Sequence, residues 1–274
     1  MPDFGPPARR VTARRLTRDG VEGASETRYV PEEVPIALSY DGEPFAVLMA
    51  TPGDIEDLAY GFSLTEGIVR TPDDISGLSK EVTPEGILVD LSLTKTARAA
   101  RLLGRRRNIE GRSSCGICGI EQIHDAVRPL APVSGRIALH ITAVTRALDA
   151  LDANQALNLE THAVHGAAFA NTAGDIVALR EDVGRHNALD KLIGALMREG
   201  VDRGQGFCII TSRCSYEMVD KATQAGILAL VAISAPTALA LRKAREAQLT
   251  LVALARRDGA LLFEDPKGLL TGII

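Results

Sequence analysis

The sequence contains no tryptophan, four tyrosines and six phenylalanines among its 274 residues. So few rings argue against a protein that stacks nucleic-acid bases along a groove. Positive charge is not in excess either. The formal net charge is −4, which gives no global field for a polyanion. Nucleic acid is therefore not expected as a partner. No apolar run approaches the roughly 20 residues that span a bilayer, so no membrane partner is expected. The opening MPDFGPPARRVTARRL is basic but lacks the apolar stretch of a secretory signal. The reading is a soluble, cytoplasmic protein. A Walker-type phosphate loop is missing, so ATP hydrolysis is not indicated. So is a His-x-Glu motif with a downstream cysteine pair, which sets aside zinc-dependent deamination.

The residues that are present describe a packed globular chain. Apolar residues make up 46% and charged residues 24%, and the length admits one large domain or two ordinary ones. Residues 1–27 mix Arg, Pro, Gly and polar residues and read as a flexible tail, with a first strand near 28–30. Residues 35–40 and 44–50 flank Asp41-Gly42, a hairpin signal. Asp54 is placed to cap a helix whose stripe is Ile55, Leu58, Ala59 and Phe62, ending at Gly67. Another strand is expected over 86–94. Residues 28–134 thus form a small α+β domain that includes an Arg-, Ser- and Gly-rich cysteine loop over 105–119.

From 135 to 274 the pattern changes. A helix over 142–153, with Thr142 as its cap, precedes strands at 163–171 and 174–180 and a helix at 186–198. Strands near 207–211, 228–233 and 249–254 then alternate with helices near 215–225 and 236–245. Such alternation predicts an α/β layer with a largely parallel sheet.

Five segments carry chemistry. In RSSCGICG, Cys115 and Cys118 are three residues apart, each followed by glycine, downstream of Arg105, Arg106 and Arg107. Positive charge favours the reactive thiolate, and the glycines leave room for a bulky partner. A persulfide carrier needs such a thiol. Plainer readings stay open: ordinary loop cysteines, a zinc site completed by His162 and His165, or, ranked lower because the long basic loop does not resemble a strand-to-helix junction, a thioredoxin-like redox pair. No resident metal is assigned. Cys208 lies in an apolar strand and reads as core, whereas Cys214 starts a helix and reads as a lone thiol open to reaction. The second segment, REDVGRHNALDK (180–191), packs polar groups around Gly184 at a helix start, with His186 able to move a proton. A capped helix with surface ion pairs is the bland alternative. The third has a strand ending at Thr211, followed by Ser212, Arg213 and Ser215 at a helix N-terminus. The fourth has Ser234 ending a strand and Pro236 opening a helix. The fifth runs a strand into Arg256, Arg257, Asp258 and Gly259. In open α/β sheets ligands bind beyond the carboxyl ends of the strands, so these junctions together predict a pocket for an anion or a nucleotide.

Taken in order, EDLAYGFSLTEGI (56–68), SSCGICG (113–119), REDVGRHNALDK (180–191), SRCSYEMV (212–219) and ISAPTALA (233–240) resemble the formate dehydrogenase accessory sulfurtransferase family (FdhD-type). The resemblance implies an α/β protein with a cytidine-deaminase-like three-layer C-terminal domain and a smaller N-terminal α+β domain. It implies a sulfurtransferase that takes persulfide sulfur from a cysteine desulfurase. The acceptor is the molybdenum cofactor in its bis-molybdopterin guanine dinucleotide form, which formate dehydrogenase then uses. The family's persulfide cysteine falls on Cys115, with Cys118 assisting, and its cofactor stretch on Leu254, Ala255, Arg256, Arg257, Asp258 and Gly259. Arg213, Ser212 and His186 join them as candidate cofactor contacts, and a homodimer is the expected assembly. The chain departs from the family at two places. Thr161-His162-Ala163-Val164-His165 stands where a Thr-Gly-Gly-x-His run is common, and Leu254 replaces an aromatic. A non-catalytic, cofactor-binding chaperone with redox or zinc-binding cysteines is the alternative function.

Overall fold

In the computed structural model, residues 5–18, 20–98, 127–256 and 258–272 are described. The span read as a flexible tail contains most of an antiparallel hairpin, β1 (Ala8–Thr17) and β2 (Gly20–Pro31). After Ala8, every residue of β1 is exposed. With neither face buried, no apolar alternation marks the strand in the sequence.

β3 (Val34–Tyr40) and β4 (Glu43–Ala50) form the expected hairpin. Asp41 and Gly42 both take the left-handed backbone (φ 54° and 79°) that a tight two-residue connection requires. Helix α1 (Ile55–Thr65) follows and buries the predicted stripe of Ile55, Leu58, Ala59 and Phe62. Asp54 precedes it without a side-chain cap, because its own backbone is left-handed (φ 55°). β5 (Ile75–Val82) and β6 (Ile87–Leu93) complete a four-stranded sheet in the order β4-β3-β6-β5.

In the C-terminal half, the short strand β7 (Leu139–His140) leads into α2 (Ile141–Asn154). The cap of α2 is His140, whose ring accepts the Thr142 backbone N–H, rather than Thr142 itself. Next come α3 (Ala156–Thr161), β8 (His165–Asn171), β9 (Ile176–Asp182) and α4 (Arg185–Arg198). They are followed by β10 (Gly206–Ile210), α5 (Tyr216–Gln224), β11 (Ala229–Ala232) and α6 (Ala238–Glu246). β12 (Thr250–Arg256), β13 (Gly259–Glu264) and β14 (Leu270–Thr271) end the chain, β14 pairing with β7. The six-stranded sheet has the order β13-β12-β11-β10-β8-β9. β10, β11 and β12 are parallel, and β8 and β13 run against them.

Strand alternation divides the core. Phe207, Ile209 and Val231 pack with Val144, Ala147 and Leu151 of α2 on one face. Cys208, Ile210 and Leu230 pack on the other face with α4, α5 and α6, in a core that also takes in α1 and the four-stranded sheet. The two sheets are thus joined through helices. α1 and α4 cross at Gly61 and Gly194, where an added Cβ would stand 1.8 Å from the Asp190 and Asp57 carbonyl oxygens respectively. Among the described residues, no helix is long and apolar enough to cross a membrane.

Candidate functional site

The parallel strands β10, β11 and β12 end together at Ile210, Ala232 and Arg256. β8 enters from the same edge at His165, directly opposite Asp182, where β9 leaves. Backbone hydrogen bonds join the junctions beyond this edge. Thr211 N–H donates to the Gly166 carbonyl (3.0 Å), Cys214 to Ala235 (3.2 Å), Thr237 to Cys214 (3.0 Å) and Leu254 to Ser234 (3.3 Å). Four of the five segments picked out by sequence therefore converge on one edge of one sheet, the cysteine segment lying outside the described residues.

Their side chains serve different ends. Arg213 is exposed at the edge, whereas Ser212 is buried and donates to the Arg213 carbonyl at 3.1 Å. Pro236 lies ahead of α6 instead of in its first turn. It is held in a bridge with Cys214, and Thr237 caps the helix by accepting the Ala240 N–H at 3.1 Å. Cys214 is not a reactive thiol: it is fully buried, and burial pushes its pKa up to about 12. Burial also raises the thiol of Cys208, a core residue as expected.

The LARRDG stretch forms the β12–β13 turn. Leu254 has a left-handed backbone (φ 53°) within a register shift between Ala253 and Arg256, and Arg256 pairs with Gly259. Such a conformation costs a non-glycine residue about 1–2 kcal/mol, and strain of this kind gathers at ligand sites. Ala255 is turned into the core, so only its backbone is available to a ligand. Arg256, Asp258 and Gly259 are exposed. Arg257 lies outside the described residues, as do Cys115 and Cys118.

REDVGRHNALDK divides into an inner and an outer part. The Asp182 carboxylate is fully buried against Lys191 at 2.7 Å. It also accepts from the Thr51 backbone N–H (3.0 Å) and hydroxyl (2.9 Å), the Gly184 N–H (2.8 Å) and the Asn187 amide (3.0 Å). Asn187 donates again to the Met49 carbonyl at 2.7 Å, which ties β4 to α4. Asp190 meets Lys221 at 2.7 Å and Thr65 at 2.8 Å, with burial pushing its carboxyl upward against the pull of that lysine. Arg180 pairs with Asp57 at 2.8 Å, and Glu181 accepts the backbone N–H groups of Leu157 and Asn158. These are not surface ion pairs. Asp182, Asn187 and Asp190 reach Thr51, Met49 and Thr65 and so tie β9 and α4 to the N-terminal unit, as Arg180 does through Asp57, whereas Glu181 holds the first turn of α3. The outer part is Arg185 and His186, at the first two positions of α4 on the sheet edge.

Two histidines that the sequence offered as zinc ligands lie beside this edge. His165, at the mouth of β8, has its pKa lowered by burial and by the Arg185 guanidinium, with Asp182 pulling the other way. Both effects favour the neutral imidazole over the imidazolium. His162 closes α3 in the left-handed conformation (φ 52°, ψ 29°) and is exposed. That is a position where glycine is unstrained. His162 and His165 form no metal cluster among the described residues, and the cysteines of the zinc alternative fall outside them.

A mixed sheet flanked by helices, with basic and hydroxyl side chains at one strand-end edge and a Cys-x-x-Cys pair elsewhere in the chain, defines an α/β protein with an edge suited to anions. Comparison with known proteins narrows the class. The FdhD/NarQ family profile matches residues 31–270. "Sulfur carrier protein FdhD" of Xanthomonas campestris pv. campestris (strain B100) is 48% identical over 254 residues, covering 93% of this chain and 90% of that one. The protein of the same name from Bordetella bronchiseptica is 44% identical over 251 residues, covering 91% of each. The chain belongs to the FdhD/NarQ family. The crystal structure of a putative formate dehydrogenase accessory protein from Desulfotalea psychrophila has the same fold. Its TM-score is 0.74 at 23% identity, covering 96% of this chain and 99% of that one.

Proposed function

We propose that this protein is a sulfurtransferase that carries sulfur as a persulfide on Cys115 from a cysteine desulfurase to the molybdenum cofactor used by formate dehydrogenase. The observation that carries this reading is the SSCGICG pair in a chain nearly half identical to proteins named sulfur carriers. The convergent basic edge supports it from the receiving side. The Cys115 thiolate attacks the outer sulfur of the desulfurase persulfide, forming Cys115–S–SH and releasing the desulfurase thiolate. Cys118 then attacks the Cys115 sulfur and expels hydrosulfide towards the cofactor. The resulting Cys115–Cys118 disulfide is reopened by two equivalents of a thiol.

The substrate cofactor carries pyrophosphate groups, and Arg213, Arg256 and Arg257 are assigned to neutralise them. Ser212, Leu254, Ala255, Asp258 and Gly259 shape the edge around them. His186 and His165 are assigned to move the protons that the exchange releases. On this reading the C-terminal half is cytidine-deaminase-like in architecture, and the protein works in the cytoplasm as a homodimer.

The test is the intact mass of the protein after incubation with a cysteine desulfurase and cysteine, with Cys115→Ala and Cys118→Ala beside it. A reducible gain of one sulfur in the wild type, lost in Cys115→Ala, is expected. No gain in any variant, with the desulfurase active on a control acceptor, rejects sulfur transfer in favour of a cofactor chaperone.

A further inference from the structure

The β1–β2 ribbon stands outside both hydrophobic cores: none of its described side chains belongs to either. It leans on α3, and its root is closed by the Glu32 N–H donating to the Pro7 carbonyl at 2.7 Å. After Ala8, every residue of β1 is exposed, and so are Ser25 and residues 27–30 of β2. A two-stranded ribbon with no buried face is marginal in water and needs a further layer to hold it. The family profile begins at residue 31, so the ribbon lies outside the matched segment.

Its register separates two faces, because residues opposite one another in a ladder share a face. On one, Val11, Ala13 and Val30 lie among matched charges. There Glu26 holds Arg15 and Arg28 at 2.6 Å each, and Arg9 pairs with Glu32. On the other, Arg10, Thr12 and Arg14 stand opposite Tyr29, Thr27 and Ser25. Arg10 donates to the Thr27 hydroxyl at 3.3 Å, and among the described residues no carboxylate meets Arg10 or Arg14. That face therefore offers guanidinium groups, hydroxyls and a tyrosine ring to a partner, and arginine and tyrosine are enriched where proteins bind one another.

We propose that the Arg10–Arg14 face of the ribbon is a dimer contact, and that it covers the surface of α3 on a second copy of the chain. This rests on the homodimer of the proposed function and gives it an interface. Charge favours a second copy. Residues 8–31 hold six arginines against Asp19, Glu22 and Glu26, on a chain of net charge −4, so the body of the protein is the acidic complement of its own arm. Position favours it too. α3, on which the ribbon leans, leaves Leu159 57% exposed and Glu160 exposed. A two-fold axis beside α3 lays each arm over Leu159 and Glu160 of the other copy, so that one patch serves both sides. The area is sufficient. A ribbon about 33 Å long and about 10 Å wide presents about 330 Å² on one face, and two arms with the surfaces they cover give about 1,300 Å², within the range of stable interfaces. Edge pairing of β1 with its copy is disfavoured. Antiparallel pairing about Thr12 sets Arg10 of each copy opposite Arg14 of the other, and like charges so placed destabilise a sheet. Nucleic acid is disfavoured because so few free guanidinium groups on an anionic chain make few phosphate contacts. α3 ends at His162, three residues before His165, so the second copy sits beside the candidate edge.

The experiment is sedimentation equilibrium of the full chain, as wild type and as the double variant Arg10→Glu/Arg14→Glu. A dimeric wild type is expected, with the dissociation constant of the variant raised at least about 100-fold, since like charges then face each other in both contacts. The thermal midpoint is expected to change little, because both positions are exposed. Cross-linking identifies the surface that is covered. Thr12→Cys and Leu159→Cys are made on separate chains, each with Cys115→Ser and Cys118→Ser, then mixed and treated with a short bismaleimide. The buried Cys208 and Cys214 stay unlabelled. A two-chain product joining position 12 of one copy to position 159 of the other is expected. A product joining position 12 to position 12 alone means that the arms pair by their edges, and overturns the assignment. A dimer that the charge reversal leaves intact, or that gives no cross-link, overturns the role of the ribbon and leaves the homodimer standing. A monomeric wild type overturns both. If its complex with the desulfurase, or with a DNA duplex, is then lost in the double variant, the face belongs to that partner instead.

Discussion

The buried seam between the two halves and the open edge of the C-terminal sheet use the same residue types for opposite ends. At the seam, Asp182, Lys191 and Asp190 are at most 1% exposed, and each charge is matched and hydrogen-bonded. At the edge, Arg213 and Arg256 are exposed, and no ion pair to an acidic side chain is described for either. One dodecapeptide, 180–191, contributes to both. A charged group that folding has already neutralised has little left to offer a ligand, whereas one left in water at a strand end does. The comparison assigns scaffold to Asp182, Asn187, Asp190 and Lys191, and leaves Arg213 and Arg256 exposed, as the proposed function requires of ligand contacts.

Breaking the seam is expected to have the largest effect. Lys191→Ala leaves Asp182 buried without its cation and is expected to destabilise the fold by about 3–5 kcal/mol, as read by denaturant unfolding. A midpoint near that of wild type would show that water enters the seam and that the two regions are less distinct than described. Gly194→Ala comes next. Its methyl meets the Asp57 carbonyl, which is backbone and has no rotamer to yield. About 3 kcal/mol of destabilisation is expected as the helices part. A crystal structure of the variant with an unmoved α1 would contradict it.

At the edge the balance reverses. Arg213→Ala is expected to change stability by less than about 0.5 kcal/mol, the usual range for exposed sites. On the proposed function, it weakens binding of a guanine nucleotide about 10- to 150-fold, from loss of a charge-assisted bond of about 1.5–3 kcal/mol. Titration calorimetry beside thermal unfolding separates the two readouts. A fall in stability with intact affinity would move Arg213 to the scaffold.

Local chemistry made much of this legible in the sequence. The Asp41-Gly42 turn, the stripe of α1 and the alternation after residue 135 each repeat a period or a turn preference that holds without tertiary context. The exposed β1–β2 hairpin was hidden because it buries no face. The convergence of the junctions was legible, since strand ends in a parallel layer must share an edge. The division within 180–191 was not. Asp182 and Arg185 look alike on paper, and only the approach of Thr51, just past the end of β4 and more than a hundred residues earlier, decides that the first is buried. The burial of Cys214 is illegible for the same reason: its bridge to Pro236 is a long-range contact that takes the thiol out of water.

The smallest expected effect concerns position 162, where the chain departs from the glycine pair common in the family. His162 holds a left-handed backbone at the end of α3 and is exposed. The strain of a Cβ in that conformation is about 1–2 kcal/mol. Glycine removes it but adds about 0.5–1 kcal/mol of freedom to the unfolded chain. His162→Gly is therefore expected to stabilise the protein by about 0.5–1 kcal/mol, which for a chain of this length raises Tm by about 1–3 °C. A fall in Tm would mean that the imidazole contributes more than its backbone costs. That would place His162 beside His165 and Arg185 as part of the edge, and the boundary between scaffold and site would then have to include α3.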